Sequence, residues 1–316
     1  MTARGLARTF RTRRGAVEAV AGVDLDVADG ELVGFLGPNG AGKTTTLRML
    51  STLLTPTAGT ATVAGHDLRT DPTGVRRRIG YVGQAGGAGP DCRVLDELVL
   101  QGRLYGLDAA EAGRRAGELL ARFDLADTAR RVVQTLSGGQ RRRLDIAMGL
   151  IHRPALLFLD EPSTGLDPQS RANLWEHIRT LRSTVFLTTH YLDEADALCD
   201  RVLVIDRGRI VAAGTPDELK RRVSGDLVVV GSEHPGRVAE LAGRLPGSAE
   251  LAVDERSVRF RTADGAAVLP DLLRALDADA VAMTSVEVRR PSLDDVFLEL
   301  TGRTLRDAET PVAVPA

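Results

Sequence analysis

Glu31-Leu-Val-Gly-Phe-Leu-Gly37-Pro-Asn-Gly-Ala-Gly-Lys43-Thr44-Thr-Thr-Leu-Arg-Met-Leu50 decides the fold. Its first six residues are a short apolar run of the kind a buried strand needs. Gly37, Pro38, Asn39, Gly40, Ala41, Gly42, Lys43 and Thr44 then satisfy the spacing G-x-x-x-x-G-K-[ST], with Thr45 following. From Thr44 to Leu54 the apolar residues recur at helical spacing. The order is strand, glycine loop, helix. Glycines let the backbone curl until successive N–H groups point at one anion. The helix opening at Lys43 turns its positive end to the same place. Lys43 adds a point charge for the β- and γ-phosphates, and the Thr44 hydroxyl is a hard oxygen suited to Mg²⁺. The loop therefore predicts a bound nucleoside triphosphate.

Further apolar runs lie at 155–160, 184–190 and 201–206, and helical patterns at about 109–123, 140–152 and 168–182. Strands alternating with helices predict an α/β fold with a parallel-sheet core. Val23–Val27 alternates like a strand ahead of the Asp29-Gly30 turn. The composition shifts near Ser224-Gly225. Beyond it a strand–helix–strand–strand–helix–strand–helix order over 226–301 predicts a small ferredoxin-like α+β domain. The expected division is residues 1–222, residues 223–303 and a tail at 304–316 without periodicity.

The 316 residues suit about two domains, and 43% hydrophobic with 27% charged residues is a globular balance. Aromatics at 3% are too few for a platform that stacks single-stranded nucleic acid. A net charge of −2 offers no polycationic face either, so no nucleic-acid partner is expected. The arginine runs 76–78 and 141–143 are short and read as solvated faces or partner contacts. Cys92 and Cys199 lack metal-ligand spacing and read as free thiols of a reducing compartment. The uncharged stretch 49–66 holds five threonines, a serine, a proline and two glycines, so it does not read as a membrane span. The residues after Arg13-Arg14 carry acids where a leader would be apolar. A membrane role would need a span from another chain.

The run Ala155–Asp160 ends in Asp160-Glu161-Pro162. At the carboxyl edge of a parallel sheet two acids face the ligand crevice. Asp160 would hold Mg²⁺, directly or through water, and Glu161 would take the proton of an attacking water; an ordinary helix N-cap is the bland alternative. Leu136-Ser137-Gly138-Gly139-Gln140 also has two readings. It is either a helix N-cap loop or a second anion site made of a hydroxyl, free N–H groups and a helix dipole. One chain needs one γ-phosphate cradle, so a second anion site would serve the nucleotide of another molecule.

Taken in order, GPNGAGKTT, Gln84, LSGGQ, LLFLDEP, STGLDP (163–168) and His190 resemble the ATP-hydrolysing subunits of ABC transporters over about residues 1–222. The resemblance implies a P-loop NTPase of the ABC type: a parallel-sheet core, an antiparallel β subdomain and a helical subdomain carrying the signature Leu136–Gln140. It implies a Mg²⁺-dependent ATP hydrolase working as a head-to-tail homodimer. Each ATP would lie between one chain's Lys43 loop and the other chain's Ser137–Gln140. It gives Gln84 contact with Mg²⁺ or the attacking water and with a membrane partner. It gives His190 contact with the γ-phosphate, Asp167 the loop joining the two sites, and Phe10 the adenine. The segment after Gln84, Ala-Gly-Gly-Ala-Gly-Pro, reads as a flexible loop.

Pro291–Arg303 (PSLDDVFLELTGR), with IGYVGQ at 79–84 and LVLQGRLYGL at 98–107, is similar to daunorubicin-resistance-type exporters. Leu293, Val296, Phe297 and Leu300 would face inward, with Asp294, Asp295 and Glu299 outward. That branch implies export of a small hydrophobic drug-like compound or secondary metabolite. It also implies a separate multi-span permease, with the subunit peripheral at the cytoplasmic face of the membrane, and a regulatory or dimer-stabilising C-terminal domain. The runner-up is a soluble ABC ATPase of translation or DNA maintenance. A single cassette, no sustained heptads and near-neutral charge weigh against it.

Overall fold

The computed structural model describes residues 1–12, 15–221 and 225–302; the expected tail at 304–316 lies outside them. The chain divides by its contacts at Pro216/Asp217, six residues before the expected boundary. Helix α8 (Pro216–Lys220) stands at that division. The sequence shows a change of composition, whereas the structural boundary follows which unit a residue packs with.

In the first unit a six-stranded sheet has the order β10-β9-β3-β8-β7-β6. Its strands are β3 (Leu32–Leu36), β6 (Ile79–Val82), β7 (Leu156–Asp160), β8 (Thr184–Thr189), β9 (Arg201–Asp206) and β10 (Arg209–Gly214). Strands β9, β3, β8, β7 and β6 run parallel, and β10 closes one edge antiparallel. Every residue of β3, β7 and β8 is buried, which is why those strands read as continuous apolar runs. Phe186 in β8 meets Phe35 at 5.5 Å and Phe158 at 5.9 Å between ring centroids, one aromatic knot across the three strands that carry the site.

A second, antiparallel sheet has the order β2-β1-β4-β5, with β1 (Thr2–Thr12), β2 (Gly15–Asp26), β4 (Ala58–Val63) and β5 (His66–Asp67). The helices of this unit are α1 (Lys43–Leu50), α2 (Pro72–Arg78), α3 (Val94–Leu104), α4 (Ala109–Arg122), α5 (Gly138–Leu150), α6 (Pro168–Arg179) and α7 (Leu192–Leu198). Helix α1 stops four residues short of the expected Leu54, because Ser51 caps it and Thr52 turns left-handed at φ 65°.

The second unit holds β11 (Asp226–Ser232), α9 (Pro235–Ala242), β12 (Ala249–Val253), β13 (Ser257–Thr262), α10 (Gly265–Ala278), β14 (Met283–Arg289) and α11 (Leu293–Thr301). The sheet order β12-β13-β11-β14, all antiparallel, is that of the split βαβ motif. Val228, Val230, Val258, Phe260 and Leu272 form its own core. In α11, Leu293, Val296 and Phe297 are buried as expected, but Leu300 is exposed. It lies on the same helical face, and the cover on that face ends after Phe297.

Candidate functional site

Four segments bring the site together, each at the carboxyl end of a parallel strand. The phosphate loop follows β3, Gln84 follows β6, Asp160 ends β7 with Glu161 next, and His190 follows β8. This is the crevice in which α/β sheets bind ligands. Ala19, Pro38, Asn39, Gly40, Gly42, Lys43, Thr44, Thr45, Gln84 and Glu161 line a cleft of about 320 Å³ there. Gly42 is obligatory by two criteria. Its φ is +107°, and a Cβ would stand 2.6 Å from the Ala19 carbonyl oxygen. Gly37 and Ala41 are buried beneath the loop, while Asn39 and Gly40 are exposed at its tip.

Lys43 is 4% exposed. Its Nζ donates to the carbonyls of Gly37 (2.7 Å) and Pro38 (3.2 Å) and stands 3.3 Å from Glu161 Oε1. Glu161 Oε2 accepts from Gln84 Nε2 (3.3 Å) and Thr164 Oγ1 (3.2 Å). His190 Nδ1 approaches the same oxygen to 3.3 Å, a close polar contact rather than an aligned hydrogen bond. Burial works to raise the Glu161 pKa, but His190 and the Lys43 charge overcome it and hold the carboxyl at about 2. Glu161 is thus fully ionised at neutral pH. Beside it the Thr44 hydroxyl donates to Asp160 Oδ1 (3.0 Å), as does the Thr188 hydroxyl (2.7 Å). The Glu161 amide in turn donates to Thr188 Oγ1 (3.1 Å).

Other expected residues lie apart from this cluster. Leu136 is buried, whereas Ser137 and Gly138 are exposed at the start of α5. Ser137 Oγ accepts from the Gln140 amide (3.2 Å) and Gln140 Oε1 accepts from the Ser137 amide (3.0 Å), a capping box. Gly139 packs close to α6, where a Cβ would meet Ser170 Oγ at 2.9 Å. Asp167 caps α6 by accepting from the Ser170 amide (2.8 Å), which lowers its pKa. Within one chain, then, both segments are used as helix caps. Phe10 is not among the residues lining the cleft. It sits in β1 with the Arg8 guanidinium 4.7 Å above its ring, and Ala19 forms the cleft wall contributed by β2.

Two expectations are corrected. The loop after Gln84 is tied down: the Gly87 amide donates to Asp145 Oδ1 (3.0 Å), and Pro90 O and Cys92 O accept from Gln134 and Val133. Gly86 serves close approach, since a Cβ there would stand 2.7 Å from Asp145 Oδ2. The run 141–143 is also not a solvated face throughout, because Arg142 is 7% exposed and bonded to main-chain carbonyls. Sequence reasoning missed Arg142, Asp145, Thr164 and Thr188. The available signal was a charged pair three residues apart inside the otherwise apolar stripe of α5. Arg76–Arg78 are exposed in the last turn of α2, as expected.

A phosphate loop, a strand-end carboxylate pair, a glutamine loop, a histidine and a separate Ser-Gly-Gly helix start on this sheet make up an ATP-binding cassette. The profile of the family described as "ABC transporter" matches residues 20–164, and that of the "ATP-binding protein DrrA1-3-like, C-terminal domain" matches residues 214–301. The daunorubicin resistance ATP-binding protein DrrA3 of Streptomyces coeruleorubidus is 47% identical over 301 residues, 94% of this chain and 95% of that protein. The linearmycin resistance ATP-binding protein LnrL of Bacillus subtilis is 36% identical over 308 residues, 95% of this chain and 99% of that protein. Among solved structures, the dimeric post-hydrolysis state of the ATP-binding cassette MJ0796 bound to ADP and Pi is 25% identical. It superposes with a TM-score of 0.62 over 68% of this chain and 97% of that one. The chain belongs to the ABC transporter ATP-binding proteins, in their daunorubicin-resistance branch, and is an ATP hydrolase.

Proposed function

We propose that this chain powers export of a small hydrophobic drug-like compound or secondary metabolite through a separate multi-span permease. It would act as a peripheral subunit on the cytoplasmic face of the membrane. The resistance functions in the names of its relatives support that reading, and none of those quoted above is named for translation or DNA maintenance. Among the described residues no helix is long and apolar enough to cross a membrane, which agrees with a partner that supplies the span.

The observation that carries the mechanism is the separation of two anion-binding features. The Lys43 loop and Glu161 share one cleft, while the exposed start of α5 at Ser137 lies outside it. A second copy, placed head to tail, would bring its Ser137–Gln140 to the γ-phosphate held by the first copy's Lys43 loop, with Asp167 near the join. Lys43 and His190 would hold the γ-phosphate, and Gln84 would orient the attacking water. Glu161 would take that water's proton as attack proceeds in line. Thr44 Oγ1 and Asp160 Oδ1, only 3.0 Å apart, offer the all-oxygen donor set that suits Mg²⁺, with Gln84 beside them. When bound there, Mg²⁺ would supply charge neutralisation on the β- and γ-phosphate oxygens. Phe10 is the proposed adenine contact.

Paired with Lys43 and His190, Glu161 has a pKa of about 2 and is a weak base. A γ-phosphate drawing Lys43 away would remove that cation from Glu161, so the Glu161 pKa would rise when substrate arrives. The test is co-expression with candidate multi-span permeases and purification in detergent. Co-purification, with ATPase activity stimulated by hydrophobic drugs, is the expected result. An ATPase that stays free of every such partner would sink the exporter reading.

A further inference from the structure

Arg142 occupies a position that the mechanism so far does not use. It lies one turn inside α5, the helix that Ser137 opens, and is 7% exposed. Its guanidinium makes four hydrogen bonds, all to main-chain carbonyls. Nε donates to Pro162 O (2.7 Å), Nη1 to Gly83 O (2.7 Å), and Nη2 to Asp160 O (3.0 Å) and Glu161 O (3.4 Å). Three of these acceptors are consecutive residues around the carboxylate pair, and the fourth is the residue just before Gln84.

The held backbone is unusual at its centre. Glu161 adopts φ +46°, a left-handed conformation that costs a non-glycine residue free energy and persists when its neighbours over-determine it. A planar fork of N–H donors bonded to the carbonyls on both sides of that residue supplies such a constraint. Three residues further along α5, Asp145 accepts from the Gly87 amide. The helix therefore grips the Gln84 loop on both sides, at Gly83 through Arg142 and at Gly87 through Asp145. Burial lowers the Arg142 pKa and raises that of Asp145, and each charge opposes the shift of the other.

We propose that Arg142 is a positioning residue for hydrolysis. It fixes the backbones of Glu161 and Gln84 relative to each other, and with Asp145 it makes their placement depend on the seating of the signature helix. A second copy's nucleotide engaging Ser137–Gln140 would then be felt at this chain's own water-activating pair through one rigid helix. The proposal rests on the reading of Glu161 as the base and Gln84 as its neighbour at the attacking water.

The test uses the purified full-length chain, measuring kcat and ATP affinity for Arg142→Lys, Glu161→Gln and the double variant. A lysine keeps the charge but cannot span four carbonyls. A displacement of about 1 Å at a reacting group costs on the order of 100-fold in rate. The expected result is a 10- to 100-fold fall in kcat for R142K with the ATP Kd within twofold, because the Lys43 loop is untouched. In the E161Q background R142K should lower the residual rate less than twofold, since the group it positions is already gone. A merely structural role would instead lower both rates by the same factor and reduce the number of ATP sites titrated.

Wild-type kcat in R142K, or equal losses in the two backgrounds, overturns the proposal. Near-wild-type turnover by E161Q overturns the assignment of the base as well, and so is told apart from failure of the positioning role alone. If R142K does not fold, Asp145→Asn keeps the shape and removes the charge beside Arg142. It is expected to lower kcat severalfold at unchanged ATP Kd, and an unchanged kcat overturns the proposal.

Discussion

Glu161→Gln tests the site most sharply, because the structure predicts opposite effects on binding and on turnover. The depression of the Glu161 pKa from 4.5 to about 2 corresponds to roughly 3 kcal/mol of net favourable interaction with the charged carboxylate. His190 and Lys43 share it, so part of it belongs to the Lys43 pair. An incoming γ-phosphate must break that pair. Glutamine removes the competing charge while keeping the shape, so ATP should bind more tightly in the variant. Turnover should fall on the order of 100- to 10,000-fold, the usual contribution of a general base. Equilibrium binding of a fluorescent ATP analogue and single-turnover release of labelled phosphate measure the two quantities separately. Size-exclusion chromatography with ATP should show the variant accumulating as a dimer. Turnover within a few-fold of wild type would refute the base assignment. An ATP affinity weaker than wild type would refute the argument that Glu161 and the phosphate compete for Lys43.

Lys43→Ala should abolish measurable ATP binding and also destabilise the empty protein by a few kcal/mol, since it strands a buried carboxylate; calorimetry and urea unfolding check the two effects. Ser137→Ala should cost about 1 kcal/mol of stability through the lost cap. It should leave ATP binding to the isolated chain unchanged and abolish cooperative turnover, read from the dependence of the ATPase rate on protein concentration. Acid unfolding follows from the depressed Glu161 pKa. The folded chain holds this carboxylate ionised more strongly than the unfolded one. Its contribution is therefore complete above about pH 4.5 and is lost as pH falls through about 2. The stability gap between wild type and E161Q, followed by urea titration over that window, should shrink by about 2–3 kcal/mol.

The parallel core was legible because fully buried strands must be apolar along their whole length, and β3, β7 and β8 announce themselves in that way. The phosphate loop was legible because its backbone geometry admits little besides glycine, and Gly42 shows why. The second unit was read strand for strand because its alternation is regular. The supports of the site were hidden. Arg142 sits in an arginine run that looks solvated, and only the three-dimensional path of the chain brings Gly83 and Asp160–Pro162 around its guanidinium. Thr188 is one hydroxyl in a strand whose other residues are buried too, and nothing local says that it joins Asp160 to the Glu161 amide. The loop after Gln84 misled for a related reason. Glycine permits mobility, but it also permits contact, and Asp145 uses the space that side chains would have filled.

The capping seen at Ser137 and Asp167 does not compete with the functional reading proposed for each. Each side chain caps its own helix within the single chain, which leaves the exposed N-terminus of α5 rigid and its dipole unopposed by any acid in the first turn. A preorganised N-terminus of this kind binds an anion better than a floppy one, because no ordering cost remains when the anion arrives. Capping would thus prepare the proposed signature to serve a second copy. The same economy appears at Glu161, whose pairing with Lys43 compensates a buried cation and would lower the basicity of the proposed base. Both arrangements would be converted by the arrival of phosphate, at Lys43 from within the chain and at Ser137 from the nucleotide of a second copy. On this view hydrolysis should rise steeply with protein concentration while ATP binding should not. A strictly linear dependence of rate on chain concentration would contradict it.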